Sequence, residues 1–160
     1  MIRAATGADR DAVRALHLAS WQANYRGTLP DDYLRDALPA EMAAKWAARS
    51  FEWPEVTLLE DGPDGPAGFV CALADRAVPL VDNLHTRPGL YGRGTGARLL
   101  RAVRAALAER GFERCTLTVL ESNAAGLRFY LREGGRDEGP EEDMLVGHPV
   151  RVRRIGFGAP

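Results

Sequence analysis

The chain has 160 residues, 46% of them hydrophobic and 27% charged, with a formal net charge of −1. That length suits one domain, 1–160, able to bury about two thirds of the surface its unfolded form exposes. The near-neutral balance lacks the basic footprint of a nucleic-acid binder. No stretch is long and apolar enough for a membrane span, so the expected partner is a small molecule or peptide in the cytoplasm.

The opening run carries charges throughout and has no apolar core of a secretory leader. IRAAT (2–6) reads as a short strand. Thr6 and Asp9 have the capping-box form, in which the hydroxyl accepts the fourth residue's N–H and the carboxylate reaches back. A helix is expected there, with Val13, Leu16, Ala19 and Ala23 at helical spacing. RGTLPDD (26–32) breaks it before a second helical region, Asp31 to Arg49, punctuated by Pro39. Glu55 to Glu60 and Ala67 to Ala74 read as a hairpin around DGPDGP, and Pro79 to Thr86 as the next strand.

Residues 87–94, RPGLYGRG, then lead into a helix. Leu100, Val103 and Leu107 make its apolar stripe, opposed by Arg98, Arg101 and Arg104, and Gly111 ends it. ERCTLTVL (113–120) is a strand and NAAGLRFYLREGG (123–135) a helix, while MLVG and VRVRRIGF close the chain as two short strands. Cys71 and Cys115 stand singly in apolar runs and read as buried thiols; no metal cluster is visible. Trp46 and Trp53 read as core, Glu141, Glu142 and Asp143 as a solvated loop, and His148, before Pro149, as a turn residue. The order of elements describes an α/β domain with a mixed sheet.

Glycines opening a helix leave unpaired N–H groups at the positive end of the helix dipole, which suits an anion such as phosphate. Gly92, Gly94 and Gly96 allow close approach, and Arg93 can add a charge-assisted contact. On the loop alone, a tight connection without a ligand is an equal alternative. No lysine follows, so a Walker loop is excluded. GRGTGA does match the dinucleotide form G-x-G-x-x-A, with Glu121 as a ribose-binding acid. However, five residues separate its first glycine from the preceding strand, and the 39 residues after Glu121 are too few for the parallel strands that fold requires.

YGRGTG resembles the pyrophosphate loop [QR]-x-x-G-x-[GA] of the GCN5-related N-acetyltransferases (GNAT), with Gly94 and Gly96 matching and Tyr91 in place of Gln or Arg. The helix from Asn123 resembles the family's N-x-x-A-x-x-[FL]-Y-x-x-x-G-F: Asn123, Phe129, Tyr130 and Gly134 match, Gly126 replaces Ala and Gly135 replaces Phe. The two segments occur in the family's order, and the topology covers nearly the whole chain. WQANYRGTLPDDYL (21–34) is similar to a run in uncharacterised bacterial members.

The resemblance implies a GNAT-like α/β fold with a mixed, mostly antiparallel sheet of about six to seven strands flanked by about four helices. It implies transfer of an acetyl group from acetyl-CoA, bound as cosubstrate without a metal, to a primary amine of a small molecule or peptide by direct attack. Family habit implies a homodimer. Leu84, His85 and Thr86 would hold the pantetheine arm. Tyr91, Gly92, Arg93, Gly94, Thr95, Gly96 and Ala97 would hold the phosphates, with Asn123 and Tyr130 beside the cofactor. Tyr130 is the candidate acid for the departing thiolate, the alternative being a tyrosine packed beside Phe129. Asp82, His85 and a bound-water relay remain alternatives for the base. Strand alternation sends Asp82 and His85 to opposite faces unless a bulge intervenes. Trp21, Tyr25 and Tyr33 would wall the acceptor site and Asp82 or Asp31 and Asp32 attract an amine; core packing and an N-cap acid are the alternatives. A non-catalytic acyl-CoA-binding sensor or interaction domain is the rival function.

Overall fold

The expected capping box at Thr6 and Asp9 is present, the Asp9 carboxylate accepting the Thr6 N–H at 2.9 Å, and the Asp9 N–H also reaches the Thr6 carbonyl at 2.9 Å. The chain therefore enters through a 3₁₀ turn, Gly7–Asp9, and the α-helix α1 runs Arg10–Asn24. The computed structural model describes residues 1–158. The second helical region begins as a π turn, Tyr33–Ala37, and continues as α2, Leu38–Ala47. Pro39 has no N–H and its ring crowds the carbonyl four residues back, so the preceding turn widens and the Leu38 N–H reaches the Tyr33 carbonyl instead.

The strands are β1 (Ile2–Ala4), β2 (Glu55–Gly62), β3 (Gly65–Leu73), β4 (Leu80–Thr86), β5 (Cys115–Leu120), β6 (Arg136–Leu145) and β7 (His148–Phe157). They form one seven-stranded sheet in the order β1-β2-β3-β4-β5-β7-β6, antiparallel except between β4 and β5. The helix α3, Thr95–Ala108, crosses between these two parallel strands, and α4, Ala124–Arg132, follows β5.

Two cores flank the sheet. Val13, Leu16, Met42 and Trp46 from α1 and α2 bury against Leu59, Phe69 and Cys71 on one face. Leu99, Leu100, Val103 and Leu107 of α3 bury against Val70, Val81, Leu117 and Ile155 on the other. Both cysteines are free and buried. Each fully buried aliphatic side chain contributes about 1.5–3 kcal/mol relative to exposure, so the α3 stripe alone fixes that helix on the sheet.

The sequence expectation fails at three places. The two closing strands are ten residues each, and the acidic run Glu141, Glu142, Asp143 lies within β6, not in a loop. As the sheet's edge, β6 exposes charges on both faces and carries Pro140, features that discourage pairing with another chain. His148 opens β7 opposite Leu145, the turn being Val146–Gly147. Trp53 is 45% exposed, packed against the guanidinium of Arg110 at 4.4 Å and the ring of Phe112 at 6.1 Å, whereas Trp46 is fully buried as expected. No helix among the described residues is long and apolar enough to cross a membrane.

Candidate active site

The sheet is nearly split in two. Leu80 and Thr116 form the one paired rung between β4 and β5, and beyond it the strands diverge. The gap opens into a cavity of about 610 Å³ that passes through the sheet. Ser20, Trp21, Asn24 and Tyr25 of α1 reach it from one face, Asn123 and Tyr130 from the other, and Asp143 and Met144 of β6 border it. Strand residues from Val81 to His85 and from Leu117 to Leu120 form its walls.

A bulge decides what β4 presents. Cys71 pairs with Asn83 but Ala72 pairs with Val81, so Asp82 is the extra residue and the alternation is reset. Asp82 and His85 consequently face the same side, towards α1 and α2. The Arg49 guanidinium donates to Asp82 Oδ2 at 2.5 Å, Asn83 Nδ2 donates to the same oxygen at 2.9 Å, and Lys45 Nζ stands 4.0 Å away. Asp82 is therefore held by cations.

His85 Nδ1 lies 2.8 Å from Ser20 Oγ, which also accepts from Asn24 Nδ2 at 3.1 Å. The His85 ring stacks on Phe69 and sits 4.5 Å from the ring of His17, whose Nδ1 accepts from Trp46 Nε1. Because His17 Nδ1 is an acceptor, its proton resides on Nε2. Burial lowers His85 to about 4, with Lys45 adding to the effect, and burial with the neighbouring His85 lowers His17 to about 2. Both imidazoles are neutral at pH 7.

Tyr130 packs edge-on against Phe129 at 5.1 Å and against Phe157. Burial, with Tyr25 nearby, pushes its phenol up to about 12. Asn123 caps α4 by accepting the Gly126 N–H at 2.9 Å, and a Cβ at 126 would meet that amide group, which is why glycine stands there. A Cβ at Gly135 would strike Ile155 Cγ2 and the Tyr130 carbonyl; this backbone excludes the phenylalanine of the motif.

The glycine loop lies at the start of α3. Gly92 and Gly94 adopt positive φ, 78° and 80°, while a Cβ at Gly96 would lie 3.4 Å from the Phe129 ring, at the edge of ordinary van der Waals contact. The Arg98 N–H bonds the Gly94 carbonyl, whereas the amides of residues 91–97 have no acceptor among the described residues. The Thr95 hydroxyl donates to Glu60 Oε1 at 3.1 Å and Arg98 grips the same carboxylate at 2.9 and 2.7 Å, fastening the loop to β2. The Thr95 side chain is thus spent on the scaffold, and its amide is what remains for a ligand. Tyr91 and Arg93 are exposed.

Of the expected site residues, Trp21, Tyr25, Asp82, Leu84, His85, Asn123 and Tyr130 meet in the cavity. Tyr33 does not; its hydroxyl donates to Glu41 on the outer side of α2. Asp32 accepts the Tyr33 N–H, an N-cap role. Thr86 lies beyond the cavity beside Gly96. Ser20, Asn24, Lys45 and Arg49 were missed: no motif marks them, and only the packing of α1 and α2 brings them to β4.

Known proteins share this fold. Residues 12–135 match the model of the acetyltransferase (GNAT) family. An uncharacterised N-acetyltransferase of Bacillus subtilis, YuaI, is 27% identical, the alignment covering 99% of this chain and 92% of the relative. The PaiA N-acetyltransferase of Thermoplasma acidophilum, solved with coenzyme A, superposes with a TM-score of 0.81 at 16% identity, covering 99% of this chain and 98% of that one. A GCN5-related N-acetyltransferase from Rhodopseudomonas palustris gives 0.76 at 22% identity, covering 99% and 95%. The chain, carrying the split sheet and the glycine-led helix, belongs to the acetyltransferase (GNAT) family of acyltransferases.

Proposed function

We propose that the chain transfers an acetyl group from acetyl-CoA to a primary amine of a small molecule or peptide by direct attack within a ternary complex. The single-rung opening between β4 and β5 carries this reading, because it leaves a strand edge, a neutral imidazole and a protonated phenol around one gap. The acceptorless amides of residues 91–97, with Arg93 beside them, suit a pyrophosphate. Asn83, Leu84 and His85 offer backbone groups along the edge where an extended pantetheine arm would pair like an added strand. Acetyl-CoA supplies an acyl group activated as a thioester.

Forming the amide makes one C–N bond and breaks one C–S bond. An ammonium acceptor loses two protons, one to the departing thiolate and one to solvent. Removing the first from an amine of pKa about 10.4 costs about 4.6 kcal/mol at pH 7. His85, at about 4, is too weak a base to take it from the ammonium outright, since the mismatch amounts to roughly 9 kcal/mol. It suits the later proton, on a nitrogen made acidic by the new C–N bond, with Ser20 as the intervening hydroxyl. A phenol at about 12 likewise does not surrender its proton unaided to a thiolate whose thiol titrates near 8.5. Tyr130 donates a hydrogen bond there and passes on a proton it receives.

Calorimetric titration with acetyl-CoA, followed by thiol release across an amine panel, tests the reading. Saturable binding weakened by Arg93→Glu, with amine-dependent thiol release, supports it. Binding without transfer to any amine favours a sensor, and absence of binding overturns the cofactor assignment.

A further inference from the structure

Lys45 is the chain's single lysine, against twenty arginines. It sits on α2 at the inner wall of the cavity, with 39% of its side chain exposed. Its closest anionic neighbour, Asp82, already has a partner: Arg49, 14% exposed behind it, holds Oδ2 at 2.5 Å and Asn83 holds the same oxygen. At 4.0 Å, Lys45 is at the outer limit of an ion pair with that oxygen. Two cations thus meet one carboxylate, and the inner end of the cavity carries an excess positive charge. The other charged residue on the wall, Asp143, lies across the gap on exposed β6.

Asp82 Oδ1 is differently placed. All the polar contacts of this carboxylate go to Oδ2, so Oδ1 accepts from none of the described residues while Asp82 lines the cavity. The cavity therefore offers an acceptor oxygen and an unsatisfied ammonium side by side.

We propose that the acceptor carries a carboxylate next to its amine, as an α-amino acid does, with Lys45 holding the carboxylate and Asp82 Oδ1 the amine. The proposal rests on the acetyltransferase reading above and names its substrate class. An amino acid presents its opposite charges one carbon apart, in the same order that Asp82 and Lys45 present theirs reversed. Both charges of the ligand are then paired, and Lys45 gains an anionic partner of its own, which Asp82, already held by Arg49, does not supply. Burial without a full counter-charge lowers the Lys45 pKa, a penalty that a bound carboxylate removes. An acceptor that is only cationic meets Lys45 as a like charge and leaves it unpaired. Trp21 and Tyr25, their rings tilted with centroids 4.6 Å apart, wall the space where a side chain of the acceptor would extend.

The test compares α-amino acids with their carboxamides and with the amines lacking the carboxyl group, by thiol release from acetyl-CoA and by calorimetry on the acetyl-CoA-loaded protein. The expected result is at least a tenfold higher kcat/KM for the acids than for either neutralised series. Lys45→Gln should abolish that preference by raising KM for the acids to that of the carboxamides, with acetyl-CoA affinity unchanged; Lys45→Arg should restore it in part. Equal rates for acid and carboxamide, or a preference that survives Lys45→Gln, would overturn the proposal. Acetylation confined to amines without a carboxylate would sink it while leaving the acetyltransferase reading intact, as would acetyl-CoA binding with no transfer to the acids. Failure to bind acetyl-CoA at all would instead remove the reading on which it stands.

Discussion

His85 Nδ1 and Ser20 Oγ lie 2.8 Å apart, joining the bulged strand to the middle of α1 across the cavity wall. The pair has a consequence for stability. A histidine whose folded pKa is depressed binds its proton more readily when unfolded, so its contribution is present above the unfolded value near 6.5 and is lost as pH falls. For His85 the loss runs from about pH 6.5 to about 4, and His17 extends it towards pH 2. Thermal melts should show Tm falling steadily below pH 6.5, by an amount equivalent to on the order of 4 kcal/mol by pH 5 for the two groups together. His17→Asn with His85→Asn should flatten that slope, and a slope unchanged in the double variant would refute the assignment.

Tyr130→Phe removes one oxygen and keeps the ring that packs on Phe129 and Phe157. Turnover should fall by about 10²-fold, the low end of what a positioned acid contributes, while acetyl-CoA affinity by calorimetry and Tm stay within error. Unchanged turnover would reduce Tyr130 to a packing residue.

Gly94→Ala places a Cβ at φ 80° and 2.9 Å from Arg98 Nη1. The backbone strain costs about 1–2 kcal/mol, and Arg98 must give way. Acetyl-CoA affinity should drop several-fold more than in Gly92→Ala, where the added methyl meets nothing within 4 Å and only the φ penalty applies. Equal losses would mean that strain alone, rather than the seating of Arg98, governs the loop.

Glu60 fastens that loop from β2. Its pKa is lowered by Arg98 first and by Thr95, so its contribution is present above the ordinary carboxylate value and fades as pH falls below it. Glu60→Ala leaves the buried Thr95 hydroxyl without its acceptor and Arg98 with only the Arg93 carbonyl and the Thr95 oxygen, a loss of about 1–3 kcal/mol by denaturant titration. Since the carboxylate lies behind the loop, KM for acetyl-CoA should rise while kcat changes little; a fall in kcat alone would contradict this.

What the sequence revealed follows how local its signals are. The glycine loop, the α3 stripe and the helix that starts at Asn123 are encoded within a few residues, so spacing alone places them. The bulge at Asp82 is not: VDNLH reads as an ordinary alternating strand, and only the register against β3 shows the extra residue. The strand β6 hides for another reason, since an edge exposed on both faces has no apolar period to detect. His17 and Trp46 belong to different helices and become partners only when both pack on the sheet. Lys45 lies far in sequence from either motif, and its place beside Asp82 depends on where the widened turn before Pro39 sets the helix down.

The rung between Leu80 and Thr116 makes the molecule resemble a clothes-peg. Its two jaws, β1 to β4 and β5 to β7, are laced internally by their own ladders and joined to each other by that one rung and by the core under α3. Spreading the jaws breaks no rung, so a long, thin guest can slide in and a spent one slip out without any part of the sheet coming undone.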